Sequence, residues 1–172
     1  MKELTRLYAQ IALLRRGPQD VPASMLLLAI TVIGYCIVNL SLSWALPALE
    51  GPWVWILLLE VLFTLAWYAA VLRAARKSER ILQTVTAIFG YRAVLAPLSI
   101  VAEWLVRHFS EDELWQLPVF ILYTGVLVWM IAANIHIVRA ALEWPLLSCI
   151  GLVVLEILTG QLLVFALIPM AR

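Results

Sequence analysis

Apolar residues run along the chain in five long blocks separated by short polar connectors, over roughly 23–45, 53–72, 81–106, 117–138 and 145–168. Each block is near or above the ~20 residues that an α-helix needs to cross ~30 Å of hydrocarbon. The pattern predicts an all-α fold: a polytopic membrane bundle of five transmembrane helices over residues 17–172, with almost no soluble part. The first block is longer than the core of a secretory signal, and no small-x-small cleavage site follows it, so it reads as a retained span.

Ahead of the first span, Leu4, Leu7, Ile11 and Leu14 recur at helical spacing, with Lys2, Glu3, Arg6 and Gln10 between them. This spacing predicts a short amphipathic helix within residues 1–16, lying in the interface plane as a lipid anchor or, alternatively, as a docking arm. Arg15-Arg16-Gly17-Pro18 ends it, and the stretch Pro18–Pro22 turns the chain into the bilayer. Pro22, Pro52, Pro118 and Pro145 mark the starts of spans, since the first helical turn has no use for the N–H that proline lacks. Ser110 and Glu113 predict a capping box ahead of the fourth span.

Composition agrees with this reading. Of 172 residues, 65% are apolar and 13% charged, against about 45–50% and about 25% in soluble domains. A net charge of +1 without a basic face excludes a nucleic-acid footprint. Cys36 and Cys149 both fall inside spans and read as small apolar residues, not as a disulfide or a metal site.

The basic residues are distributed unequally. Lys2, Arg6, Arg15, Arg16, Arg73, Arg76, Lys77, Arg80 and Arg139 collect at one side, and Arg107 and Arg172 at the other. The positive-inside rule makes the first side cytoplasmic, with the N-terminus inside and the C-terminus periplasmic or extracellular. Trp44, Trp53, Trp55, Trp104 and Trp115 fall at the outer boundary, and Trp67, Tyr68 and Trp144 near the inner one, as aromatic belts require. Trp129 lies deeper and is expected to pack between helices. No internal repeat suggests an inverted-repeat transporter.

Ionisable residues inside a span are costly and are candidate functional groups. Here they are Glu60, Arg92 and Glu156, with Asn39, Asn134 and Gln161 as polar companions. Counting helical rise from the cytoplasmic ends, Arg92 and Glu156 both lie roughly 16 Å deep, and Asn39 and Glu60 about 21–22 Å deep. Matched depth predicts an Arg92–Glu156 pair and a hydrogen bond from Asn39 to Glu60. The four form an expected intramembrane polar network, either a structural lock on helix rotation or a path for protons or substrate. His136 and Arg139 have too few ligating neighbours for a metal site, so His136 reads as an interfacial hydrogen-bonding residue. The chain carries no phosphate-cradling glycine loop, no nucleophile elbow and no His-Glu-x-x-His. An enzyme or a bound cofactor is therefore not expected.

The third span and its approach read Leu82-Gln83-Thr84, then Phe89-Gly90-Tyr91, then Pro97. A glutamine at the helix start, a mid-span Gly-Tyr pair and a proline six residues later resemble bacterial members of the Ypt-interacting-protein (Yip) family. Gly17-Pro18-Gln19-Asp20-Val21-Pro22 is similar in placement to that family's approach to its first span. The chain departs from the family in its basic second connector, Arg73–Arg80, and in Arg92 directly after the Gly-Tyr pair. The resemblance implies a non-enzymatic protein of a bacterial inner membrane, with no binding residues carried over. Its expected partners are the lipid bilayer and a membrane protein or a second copy of the chain. The expected role is a scaffold or accessory protein acting through helix or lipid contacts. The alternative is a small proton-coupled transporter or permease using Glu60, Arg92 and Glu156.

Overall fold

The computed structural model describes residues 2–46 and 52–167. Ile168 and Arg172, which enter the reading of the last span and of the basic residues, lie outside them. Among the described residues there are six α-helices: α1 (Lys2–Ala12), α2 (Met25–Ala45), α3 (Trp53–Ala74), α4 (Ile81–His108), α5 (Glu113–Leu142) and α6 (Leu146–Leu167). The five from α2 to α6 are long and apolar enough to cross a membrane. Helices suit this environment because each satisfies its own backbone hydrogen bonds, which hydrocarbon cannot do.

Local chemistry fixes the helix ends. Ser24 caps α2 by accepting from the Leu27 amide at 3.3 Å. Pro52 and Pro145 stand immediately before α3 and α6, and the Pro145 carbonyl accepts from the Cys149 amide. At the fourth span the expectation fails. The cap is Asp112, which accepts from the Leu114 amide at 3.0 Å, while Ser110 donates to the Arg107 carbonyl and closes the end of α4. Pro118 therefore lies inside α5 rather than at its start. Asp112 prevails because it caps equally well and sits where the turn leaving α4 has already finished.

At the other end of the bundle, three helices stop on residues with left-handed backbone, Leu14, Arg76 and Glu143, none of them glycine. After α1, Leu14 and Arg15 donate back to the Ile11 and Gln10 carbonyls. After α3, Arg76 and Lys77 do the same to Arg73 and Leu72. This paired pattern satisfies helix carbonyls that would otherwise be orphaned. It also explains why α1 ends at Ala12, leaving Leu14 exposed instead of on the apolar stripe.

The bundle is built around α4. Of the most apolar stretch of α4, 56% is buried, against 11–28% in the other spans. Residues 84–91 of α4 are buried without interruption, so that half of the helix meets protein on every side. α1, α2, α3 and α5 pack on it, and α6 packs on α3 and α5. The outward faces carry Met25, Leu26, Ile30, Ile33 and Ile37 on α2, and Leu147, Val154, Leu155 and Leu158 on α6. Apolar area so extensive fits a lipid surface and not water.

The stripe of α1 has a different destination from the one its sequence suggests. Tyr8, Ile11 and Ala12 are buried in the main core, with Leu4 and Leu7 packed against it. The bundle also hydrogen-bonds the arm: Trp129 Nε1 donates to the Ala12 carbonyl at 2.7 Å, and the Gln83 amide to the Val21 carbonyl at 3.0 Å. His136 pairs with the Arg16 carbonyl at 3.1 Å. The expected short helix is present, and its apolar face is covered by the spans rather than left for lipid. Gly90 makes this possible, because a Cβ there would fall within the Tyr8 ring.

Candidate functional site

Arg92 leaves the central helix just beyond its fully buried stretch, where the packing opens. Its guanidinium meets two carboxylates on different helices: Nη1 lies 3.2 Å from Glu60 Oε1 on α3, and Nη2 lies 3.2 Å from Glu156 Oε1 on α6. Nη1 also donates to Thr64 Oγ1 at 3.1 Å. The planar fork of arginine lets one side chain satisfy acceptors on two other helices.

Each carboxylate has further donors. Glu156 Oε2 accepts from the Tyr68 hydroxyl and from Asn134 Nδ2, the latter at 2.9 Å. Glu60 Oε1 accepts from the Tyr35 hydroxyl at 2.8 Å. The network thus joins α2, α3, α4, α5 and α6. Tyr35 and Tyr68 are almost fully buried, so their hydroxyls act where water does not compete.

Asn39 stands apart from its expected role. Its Nδ2 donates to the Tyr35 carbonyl one turn back at 2.8 Å and forms no bond with Glu60 among the described residues. Equal depth does not guarantee contact, and the local carbonyl takes the amide donor first. Asn39 nonetheless lines the same cavity as Glu60. Gln161 lines the cavity on the opposite side of Glu60, with Arg92 and Glu156.

The sequence reading missed Tyr35, Thr64 and Tyr68 as members of the site. For two of them a signal exists: Glu60, Thr64 and Tyr68 are spaced four apart and share one face of α3. Tyr68 was assigned instead to the aromatic belt, where a tyrosine near a span boundary ordinarily sits.

Chemically, the arrangement is a shared cation with hydrogen-bonded anions. Among the described residues, no three His, Cys, Asp or Glu side chains gather as metal ligands. The groups present can hold charge, fix helix orientation and exchange a proton at an oxygen that is open to the cavities. No family model, curated protein or solved structure matches this chain.

Proposed function

We propose that this multi-pass membrane protein is a non-enzymatic scaffold or accessory protein of Yip type. In this reading it resides in a bacterial inner membrane, with the basic ends of its helices facing the cytoplasm. It works through helix and lipid contacts, with a membrane protein or a second copy as partner. The observation that carries the reading is the closure of the Arg92–Glu156 pair: both Glu156 oxygens are filled and its side chain is 4% exposed. A carboxylate with both oxygens bonded suits a lock that fixes how the helices face one another. Polar contacts between membrane helices serve that purpose.

A double-mutant cycle tests this. Arg92→Met should lower stability in detergent by about 3 kcal/mol, because it leaves the buried Glu156 carboxylate without its counter-charge. Combining it with Glu156→Gln should recover much of the loss, since buried pairs are often replaceable by neutral groups of similar volume. Native partner co-purification should return with the stability. Additive losses in the cycle, or a doubly substituted protein that is stable but has lost its partner, would sink the reading.

A further inference from the structure

Glu60 and Glu156 share one guanidinium but are held unequally. Glu156 uses both oxygens, whereas Glu60 uses only Oε1, and among the described residues no hydrogen bond reaches Glu60 Oε2. The Glu60 side chain is 40% exposed, ten times the figure for Glu156. With all three groups ionised, the cluster carries one cation against two anions. An uncompensated charge at this depth in a bilayer is costly.

Two cavities meet at Glu60. One, of about 230 Å³, lies between α3 and α6 and has mainly apolar walls, Phe63 and Ile157 among them. The other, of about 210 Å³, lies between α2, α3 and α4 and holds Asn39, Ser43, Ser99 and Glu103. These four form a polar row leading from Glu60 toward the end of the bundle that carries Trp53. Toward the basic end the route is shut. Thr64, Tyr68 and Leu72 are buried below Glu60, beside the fully enclosed stretch of α4.

We propose that Glu60 is a proton-exchange site, loaded and unloaded through this polar cleft from the end of the bundle that carries Trp53, above a fixed Arg92–Glu156 pair. The proton passes from hydronium in the cleft to Oε2, forming one O–H bond there and leaving water behind. Tyr35 and Arg92 keep their bonds to Oε1 throughout. The loaded cluster is neutral and the unloaded cluster carries one negative charge. Facing Glu60 are Tyr35 from α2, Arg92 from α4 and, across the guanidinium, Glu156 from α6. Glu103 lies further along the cleft, and Cys36 and Tyr91 are within electrostatic reach. This goes beyond the scaffold reading, which uses only the filled bonds, and it stands or falls separately from the double-mutant cycle.

Carbodiimides add to carboxylic acids and not to carboxylates, so they report the loaded state. Wild-type protein in lipid nanodiscs would be treated with dicyclohexylcarbodiimide, which arrives from lipid, or with a water-soluble carbodiimide, and the adducts located by peptide mass spectrometry. Both reagents should label Glu60, with a yield that falls as pH rises, and neither should label Glu156. Ser99→Leu, which narrows the cleft, should cut labelling by the water-soluble reagent several-fold and leave labelling by the lipid-borne one unchanged. On acidification the infrared carboxylic acid band should grow more in wild type than in Glu60→Gln, by the intensity of one group. Absence of any Glu60 adduct, adduct on Glu156 instead, a yield independent of pH, or an acid band that grows equally in Glu60→Gln would each overturn the proposal. Equal loss of both reagents in Ser99→Leu would overturn the cleft as the route. The wild-type labelling decides the first question even if a variant fails to fold.

Discussion

A methyl group on Gly90 would occupy the space now taken by the ring of Tyr8. That ring cannot swing away freely, because its hydroxyl is hydrogen-bonded to Thr31 Oγ1 at 2.7 Å. Gly90→Ala should therefore push α1 off α4 and cost about 1–3 kcal/mol, the usual range for overpacking. Gly34→Ala is the control, since a Cβ there meets nothing within 4 Å. It should be neutral or slightly stabilising through helix propensity. Thermal melts in one detergent compare the two, and equal midpoints would contradict the close approach. At this scale the sequence was partly readable. Arg92, Glu60 and Glu156 stood out because hydrocarbon penalises charge. Tyr8 as the neighbour of Gly90 did not. Its position depends on α1 folding back among spans that are distant in the chain, and no local pattern encodes that return. Tyr35 was equally hidden, because a tyrosine in an apolar run looks like packing until an acceptor is placed beside it.

Between elements, the corner joining α5 to α6 is tied to the turn after α3. Glu143, which has left-handed backbone, receives Lys77 Nζ at 2.5 Å and Arg80 Nη2 at 2.8 Å. Arg80 Nη1 also donates to the Ala140 and Ala141 carbonyls, placing a cation on the exposed carbonyls that end α5. The hydrogen bonds from Lys77 and Arg80 hold the Glu143 carboxyl below its ordinary value of 4.5. A depressed folded value stabilises the protein at any pH above that ordinary value, and the contribution fades as pH falls through the lower one. Glu143→Gln should thus melt below wild type at neutral pH, and the gap should close in acid. A gap that stays constant into acid would show that the carboxylate charge is not what ties the corner. The sequence showed the basic connector 73–80 only as an orientation signal. The acid that it grips was invisible because it lies two connectors away. The bounds of the other four spans, by contrast, were legible to within about two residues, since the change from apolar to polar is abrupt. α5 runs from Glu113 to Leu142 and so passes the expected bounds of 117 and 138 at both ends; at its start Ser110 and Asp112 compete as caps.

For the whole molecule, the two halves of the bundle differ in density. Near the basic end α4 is enclosed on all sides, while beyond Arg92 two cavities open beside it. The basic asymmetry predicts which half meets the cytoplasm. Reporter fusions after Lys77 and after Arg139 should report cytoplasm, and one at the C-terminus should report the opposite side. A cytoplasmic C-terminus would rule out five spans. Five long helices followed from hydropathy alone. Which helix stands at the centre did not, because α4 is the least apolar of the five by mean hydropathy, at 1.7, and yet the most buried. Protein neighbours tolerate the threonines and the arginine that lipid would penalise, so centrality shows in the sequence as a lapse in hydrophobicity.

The docking of α1 has a consequence for how the chain is assembled. A ribosome makes α1 before any span, but the glycine that receives Tyr8 lies on α4, and the tryptophan that binds the Ala12 carbonyl lies on α5, 117 residues later. Until those helices are inserted, the apolar stripe of α1 has no cover within the protein and must rest on the membrane surface or on a chaperone. Closure of the arm therefore cannot precede the arrival of α4 and α5. A chain cut short before α5 leaves the arm unlatched, and an unlatched arm is an exposed amphipathic helix that quality-control proteases can find.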